Sequence, residues 1–203
     1  MVRDEAIQSL LEQNPLYTYL LIIAPPEQEV QRIMHIKRQV AIFCAVPQAM
    51  ARPHITLAQF DSVAKWEPAL LQSLQRVAAC NRSHRIRLLN FGSFPQHTVF
   101  IDVLSTPSLP EFIKKIRAAI SWLPSSSKKV SPGKPHLTIA RRLQASQFQK
   151  MASAFEQASY SGSFLAQEIC LLKRRYGAKA YEEVRRFPFL GQPEKSLQIE
   201  LFP

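Results

Sequence analysis

Glycine is scarce in this chain, five in 203 residues, and no Gly-x-x-x-x-Gly-Lys run is present, which argues against a nucleotide-hydrolysing P-loop. Cysteine is rarer still. Cys44, Cys80 and Cys170 stand far apart in apolar surroundings without a Cys-x-x-Cys pair, so reduced, buried thiols of a cytoplasmic protein are expected. Long apolar runs are also missing. The longest early one, Tyr19 to Ala24, falls well short of the roughly 20 residues of a membrane span. Met1-Val2-Arg3-Asp4-Glu5 opens into a mixed polar segment and not into a signal-peptide core. There is no His-x-His, no His-Glu-x-x-His and no Gly-x-Ser-x-Gly elbow, which disfavours zinc, two-metal and serine hydrolases. A soluble monomer with no metal, no cofactor and no membrane partner is the expectation.

Negative charge is the last deficit: 15 Asp and Glu stand against 26 Lys and Arg, a net +11. Such a surplus favours an anionic partner, either nucleic acid or a phosphorylated small molecule. With 46% hydrophobic residues the chain can build a substantial core.

What the sequence does have is one pattern written twice. Pro53-His54-Ile55-Thr56-Leu57-Ala58 and Pro135-His136-Leu137-Thr138-Ile139-Ala140 both read Pro-His-apolar-Thr-apolar-Ala. Polar and apolar residues alternate with period two, so each copy reads as a strand with unlike faces. His54, Thr56, Ala58 and Phe60 then share one face, as do His136, Thr138, Ala140 and Arg142, while Ile55, Leu57, Leu137 and Ile139 point into a core. Phe60, on the His54 face by this parity, is a candidate to stack on a base, with a place in the core as the alternative.

Around these strands the pattern predicts a helix over 1–14, a strand over 17–24, a helix over 27–43 and another over 64–79. His35, Arg32, Lys37 and Arg38 are expected on a solvated face of the 27–43 helix. Two strands, 85–91 and 97–103, form an antiparallel pair, with His84 and His97 given ordinary surface roles. A helix starts at Ser108-Leu109-Pro110-Glu111. A poorly structured stretch, 124–135, brings Lys128, Lys129 and Lys134 up to the second motif. A helix over 146–160, a hairpin of strands 164–173 and 181–189, and a strand over 197–202 complete the chain. Strands and helices alternate twice over with one motif in each half, which suggests a duplication: an α+β, bilobal fold with two pseudo-symmetric lobes of mainly antiparallel sheet, helices outside and a central cleft, spanning 1–203 as a single domain.

Two facing histidines suit phosphodiester cleavage, one accepting a proton from the attacking oxygen and the other donating one to the leaving oxygen. Thr56 and Thr138 can donate to the non-bridging phosphate oxygens. At this point the residues resemble the 2H phosphoesterase superfamily, in particular the bacterial and archaeal 2′-5′ RNA ligase group, also called RNA 2′,3′-cyclic phosphodiesterases. Pro135 through Arg141 is similar to that group's second motif almost residue for residue. Phe94 through Val103 and Leu171 through Phe189, with Gly177, Tyr181 and Phe187-Pro188, extend the likeness over most of the chain.

The resemblance implies a bilobal fold and metal-independent hydrolysis of 2′,3′-cyclic phosphates of RNA ends or nucleotides to 2′-phosphates, with reversible 2′-5′ joining in some members. It makes His54 and His136 catalytic, Thr56 and Thr138 phosphate-binding, and Arg141 a substrate contact. Strict alternation selects Arg142 instead, and a bulge at the strand end would reconcile the two. The first motif departs from the family at Gln59-Phe60-Asp61, where an aromatic followed by Leu-Gly is more usual, so the base pocket is not carried over. Two other readings stay open: a non-catalytic RNA-end-binding protein, and a 2H enzyme for a non-RNA cyclic phosphate.

Overall fold

The computed structural model describes residues 14–45, 50–95, 97–104, 108–124, 129–130 (backbone only) and 133–193. The helix expected over 1–14, the strand expected over 197–202 and Lys128 lie outside the described residues. Within them the elements follow as β1 (Leu16–Ile23), α1 (Glu27–Phe43), β2 (Ile55–Val63), α2 (Glu67–Ala79), β3 (His84–Phe94), β4 (Thr98–Leu104), α3 (Ser108–Ala119), β5 (Lys129–Val130), β6 (His136–Arg141), α4 (Ala145–Glu156), β7 (Ser161–Ala166), β8 (Glu168–Arg175) and β9 (Glu182–Pro188). The strands form one sheet in the order β7-β3-β4-β6-β2-β1-β8-β9, with β5 beside β2, and every pairing is antiparallel. The fold is α+β.

The sheet divides at its middle into matched halves. β1-α1-β2-α2 and β4-α3-β6-α4 repeat one unit, and in each the first strand lies antiparallel beside the second. The helices exchange across the join: α1 packs on β6 and α3 on β2. Ile55, Leu57, Leu137 and Ile139 are all fully buried in the core between sheet and helices, joined by Ile33 and Val40 of α1 and by Phe112 and Ile116 of α3. Each such side chain stabilises the fold by about 1.5–3 kcal/mol when fully buried. A smaller cluster, Leu20, Ile22 and Cys170 with Tyr181 packed on it, covers part of the sheet's other face.

The stretch read as a single strand over 164–173 is divided at Gln167. Ser161–Ala166 pairs with β3, and Glu168–Arg175 pairs with β1 in the other half. With one residue between them, the two halves of the sheet are tied together at this end as well as at the β2–β6 join.

Both motif strands carry a bulge at the same place. Ile22 pairs with Thr56 but Leu21 with Ala58, leaving Leu57 as the extra residue; Phe100 pairs with Thr138 but Val99 with Ala140, leaving Ile139. A bulge shifts the alternation by one. Burial follows: Ile55 and Leu57 are inside, then Ala58, Phe60 and Ser62; Leu137 and Ile139 are inside, then Ala140.

Candidate active site

The halves meet where Ile55 pairs with Leu137. One step out along this antiparallel register, His54 comes opposite Thr138 and Thr56 opposite His136, and all four side chains leave the face opposite the core residues. All four are half-buried. The two histidines therefore stand diagonally across the join, each facing the other motif's threonine.

Each ring is held in the same way. His54 Nδ1 donates to the Arg52 carbonyl at 2.9 Å, and His136 Nδ1 donates to the Lys134 carbonyl at 2.9 Å. A carbonyl only accepts, so the neutral rings carry their proton on Nδ1 and leave Nε2 as the nitrogen available to a ligand. The intervening prolines, Pro53 and Pro135, bias Arg52 and Lys134 to extended backbone, which sets these carbonyls beside the rings. The same two residues are ion-paired, Arg52 to Glu27 at 2.6 Å and Lys134 to Asp102 at 2.6 Å. Lys134 thus reaches the site as the sequence suggests, already paired.

The electrostatics favour a neutral His54. Burial lowers its pKa below the ordinary imidazole value, and the nearby cations Lys37 and Arg141, with His136, lower it further against the opposing effect of the Arg52 carbonyl. Lys37 is a departure from expectation. It is buried, not solvated, because it lies on the inward stripe of α1 with Val30, Ile33 and Val40 at helical spacing. Its Nζ donates to the Thr138 carbonyl at 2.9 Å. Desolvation, with Arg141 adding to it, lowers its pKa to about 8.

Aromatic rings wall the His136 side. Phe94 lies edge-on to the imidazole at 4.9 Å and Phe100 tilts against it at 5.1 Å. Gly92 is what makes room for Phe100: a Cβ there would lie 2.6 Å from the ring. On the other half, Tyr181 lies close enough to Arg141 and Asp61 to feel both charges, with the Arg174 guanidinium 4.8 Å from its ring centroid.

The bulges decide the two residues the sequence left unsettled. After Ile139 the alternation shifts, so Arg141 follows Thr138 on the open side, while Arg142 turns off the strand end with φ 57°. After Leu57 the same shift sends Phe60 the other way. It is fully buried and stacked on Tyr19 at 5.4 Å, so the expectation that it shares the His54 face and stacks on a base is corrected. Gln59 takes the position matching Arg141, and aligning the two repeats with their bulges would have found it. His35 is exposed as expected, and His97 bonds Thr98 Oγ1 at 2.6 Å. His84, expected at the surface, is buried between Phe112 and Phe189 with Nδ1 3.2 Å from Ser108 Oγ.

Among the described residues no three His, Cys, Asp or Glu side chains group closely enough to hold a metal ion, and no helix is long and apolar enough to cross a membrane. No curated protein matches the chain in sequence. Its fold is similar to that of Escherichia coli LigT complexed with 3′-AMP, at TM-score 0.64 and 19% identity over 86% of this chain and 98% of that one. LigT complexed with ATP is similar at TM-score 0.61 and 20% identity over 86% and 98%. TT0787 of Thermus thermophilus is similar at TM-score 0.59 and 17% identity over 86% and 99%. Residues 25–178, which hold both His-x-Thr strands and the join between them, match the family model described as the 2′-5′ RNA ligase superfamily, and to that superfamily the chain belongs.

Proposed function

We propose that the protein is a phosphodiesterase that opens 2′,3′-cyclic phosphates of RNA ends or nucleotides to 2′-phosphates by two-histidine acid–base catalysis. The observation that carries this reading is the matched pair of imidazoles, both fixed through Nδ1 so that Nε2 is the nitrogen left for a ligand, and each in register opposite the other strand's threonine. His54, kept neutral by burial and neighbouring cations, takes the proton of the attacking water. As the P–OH bond forms, the P–O3′ bond breaks and His136 delivers a proton to the departing 3′ oxygen. The hydroxyls of Thr56 and Thr138 donate to the non-bridging oxygens, where charge gathers in the transition state, and Arg141 contributes a cation on the same side. A 5′-hydroxyl in place of water would yield a 2′-5′ linkage by the same proton transfers. Nucleotide ligands in the LigT structures and the family's name support an RNA-related substrate.

Incubating the protein in EDTA with 2′,3′-cyclic nucleotides and with RNA ending in a cyclic phosphate tests this. Release of a 2′-phosphate is the expected result. Binding without product would make the protein an RNA-end-binding module, and neither binding nor product would point to a non-RNA cyclic phosphate.

A further inference from the structure

We infer that Lys37 is a positioning residue of this site, a buried cation whose missing counter-charge is the phosphate held between the two His-x-Thr strands. The inference rests on the phosphodiester reading above and deepens it by naming what balances the anion from below the sheet. Lys37 is 3% exposed, and its one hydrogen bond among the described residues is to an uncharged acceptor, the Thr138 carbonyl. Among the described residues no carboxylate lies within ion-pair distance of it, although buried lysines are ordinarily paired. The charged and titratable groups whose field it shares are Arg141 of β6 and His54 at the head of β2, both cationic or able to become so, and His136 acts on the same His54 ring.

A cluster of that kind is under tension until an anion arrives. The phosphate would relieve the mutual repulsion of Lys37, Arg141 and the histidines at once. Lys37 is suited to this because it is too buried to move with solvent and is anchored to the backbone of Thr138, the residue whose hydroxyl faces the ligand. Without ligand the same charge discourages protonation of His54, keeping the base ready. The lysine touches no substrate atom in this arrangement. It acts through Thr138 and His54.

The test uses Lys37→Met, which keeps length and apolar volume and removes only the charged end, with inorganic phosphate as the probe. Two readouts are needed: the phosphate dissociation constant by calorimetry near pH 7, and the His54 titration by NMR. Phosphate affinity should fall about tenfold, the size expected for one partly screened unit charge, and the His54 midpoint should move up. An unchanged affinity or an unmoved His54 midpoint would overturn the inference. A second measurement needs no variant. At pH 8.5, where a lysine of pKa about 8 is largely uncharged, phosphate binding to the wild-type protein should take up a proton, seen as a dependence of the heat on buffer ionisation. Binding without proton uptake would equally sink it. Neither readout depends on turnover, so a protein that fails to open cyclic phosphates would remove the proposed reaction while leaving the role of Lys37 decided on its own.

Discussion

Thr56 of β2 stands across the join from His136 of β6, as Thr138 stands across from His54, because the single backbone pair Ile55–Leu137 fixes the register between the two motif strands. Each half-site is therefore assembled from both strands. A change that slides one strand against the other would disrupt both.

Replacing either histidine should stop the chemistry without unfolding the chain, since both rings are half-buried and their neighbours Ile55 and Leu137 provide the packing. His54→Ala and His136→Ala should each lower kcat/KM for a 2′,3′-cyclic nucleotide by about 10²- to 10⁴-fold. Circular dichroism and binding of a 2′-phosphate product should show the fold and much of the affinity retained. Near wild-type rates in both variants would remove the site assignment.

The pH profile should be a bell whose acid limb belongs to the group that must be neutral. His54, with its pKa held below the ordinary value, places that limb below about 6.5, so activity persists into mildly acidic buffer. His54→Gln should remove the acid limb from the residual activity. A profile flat from about pH 5 to 9, with chemistry rate-limiting and the protein folded, would contradict two-histidine catalysis.

Gly92→Ala should damage the site at a distance. The added methyl would meet the Phe100 ring at 2.6 Å and push it toward His136, at an overpacking cost of about 1–3 kcal/mol. Activity and Tm should both fall, and Phe100→Leu in the same chain should restore part of each. A fully active, fully stable Gly92→Ala protein would show that the ring does not position His136.

His84 gives stability a pH dependence of its own. Burial lowers its folded-state pKa, and its Nε2 has no partner among the described residues, so the folded protein favours the neutral ring. This contribution is complete above the unfolded value of about 6.5 and is lost as pH falls from there through the folded pKa, at no more than about 1.4 kcal/mol per pH unit. Urea unfolding at pH 7.5 and pH 5.5 should show the drop, and His84→Gln should shrink it. His54 contributes in the same direction, so the variant should retain part of the slope.

The site and the fold were legible in the sequence to different depths. The repeated Pro-His-x-Thr pattern identified the two strands and the four central side chains because local alternation is a property of the backbone itself. Lys37 was legible in principle, since Val30, Ile33, Lys37 and Val40 share helical spacing, but a lysine on such a stripe ordinarily reads as a solvated neighbour. His84 alternates with the buried Ile86 and Leu88 along β3, which is a local sign of burial, but the rings that enclose it come from Phe112 and Phe189, far along the chain.

By itself the sequence determined which residues carry polar chemistry on β-forming segments, that the segments come in a matched pair, and that the class is α+β. Tertiary structure decided which side of the sheet each later residue faces. The bulges at Leu57 and Ile139 arise from pairing with β1 and β4, partners distant in sequence, and one extra residue is enough to send Phe60 into the core and Arg141 to the site. The same holds for the register between the motifs. His54 faces Thr138 because Ile55 and Leu137 bury together against helices exchanged between the halves, an arrangement that exists only once the chain has folded.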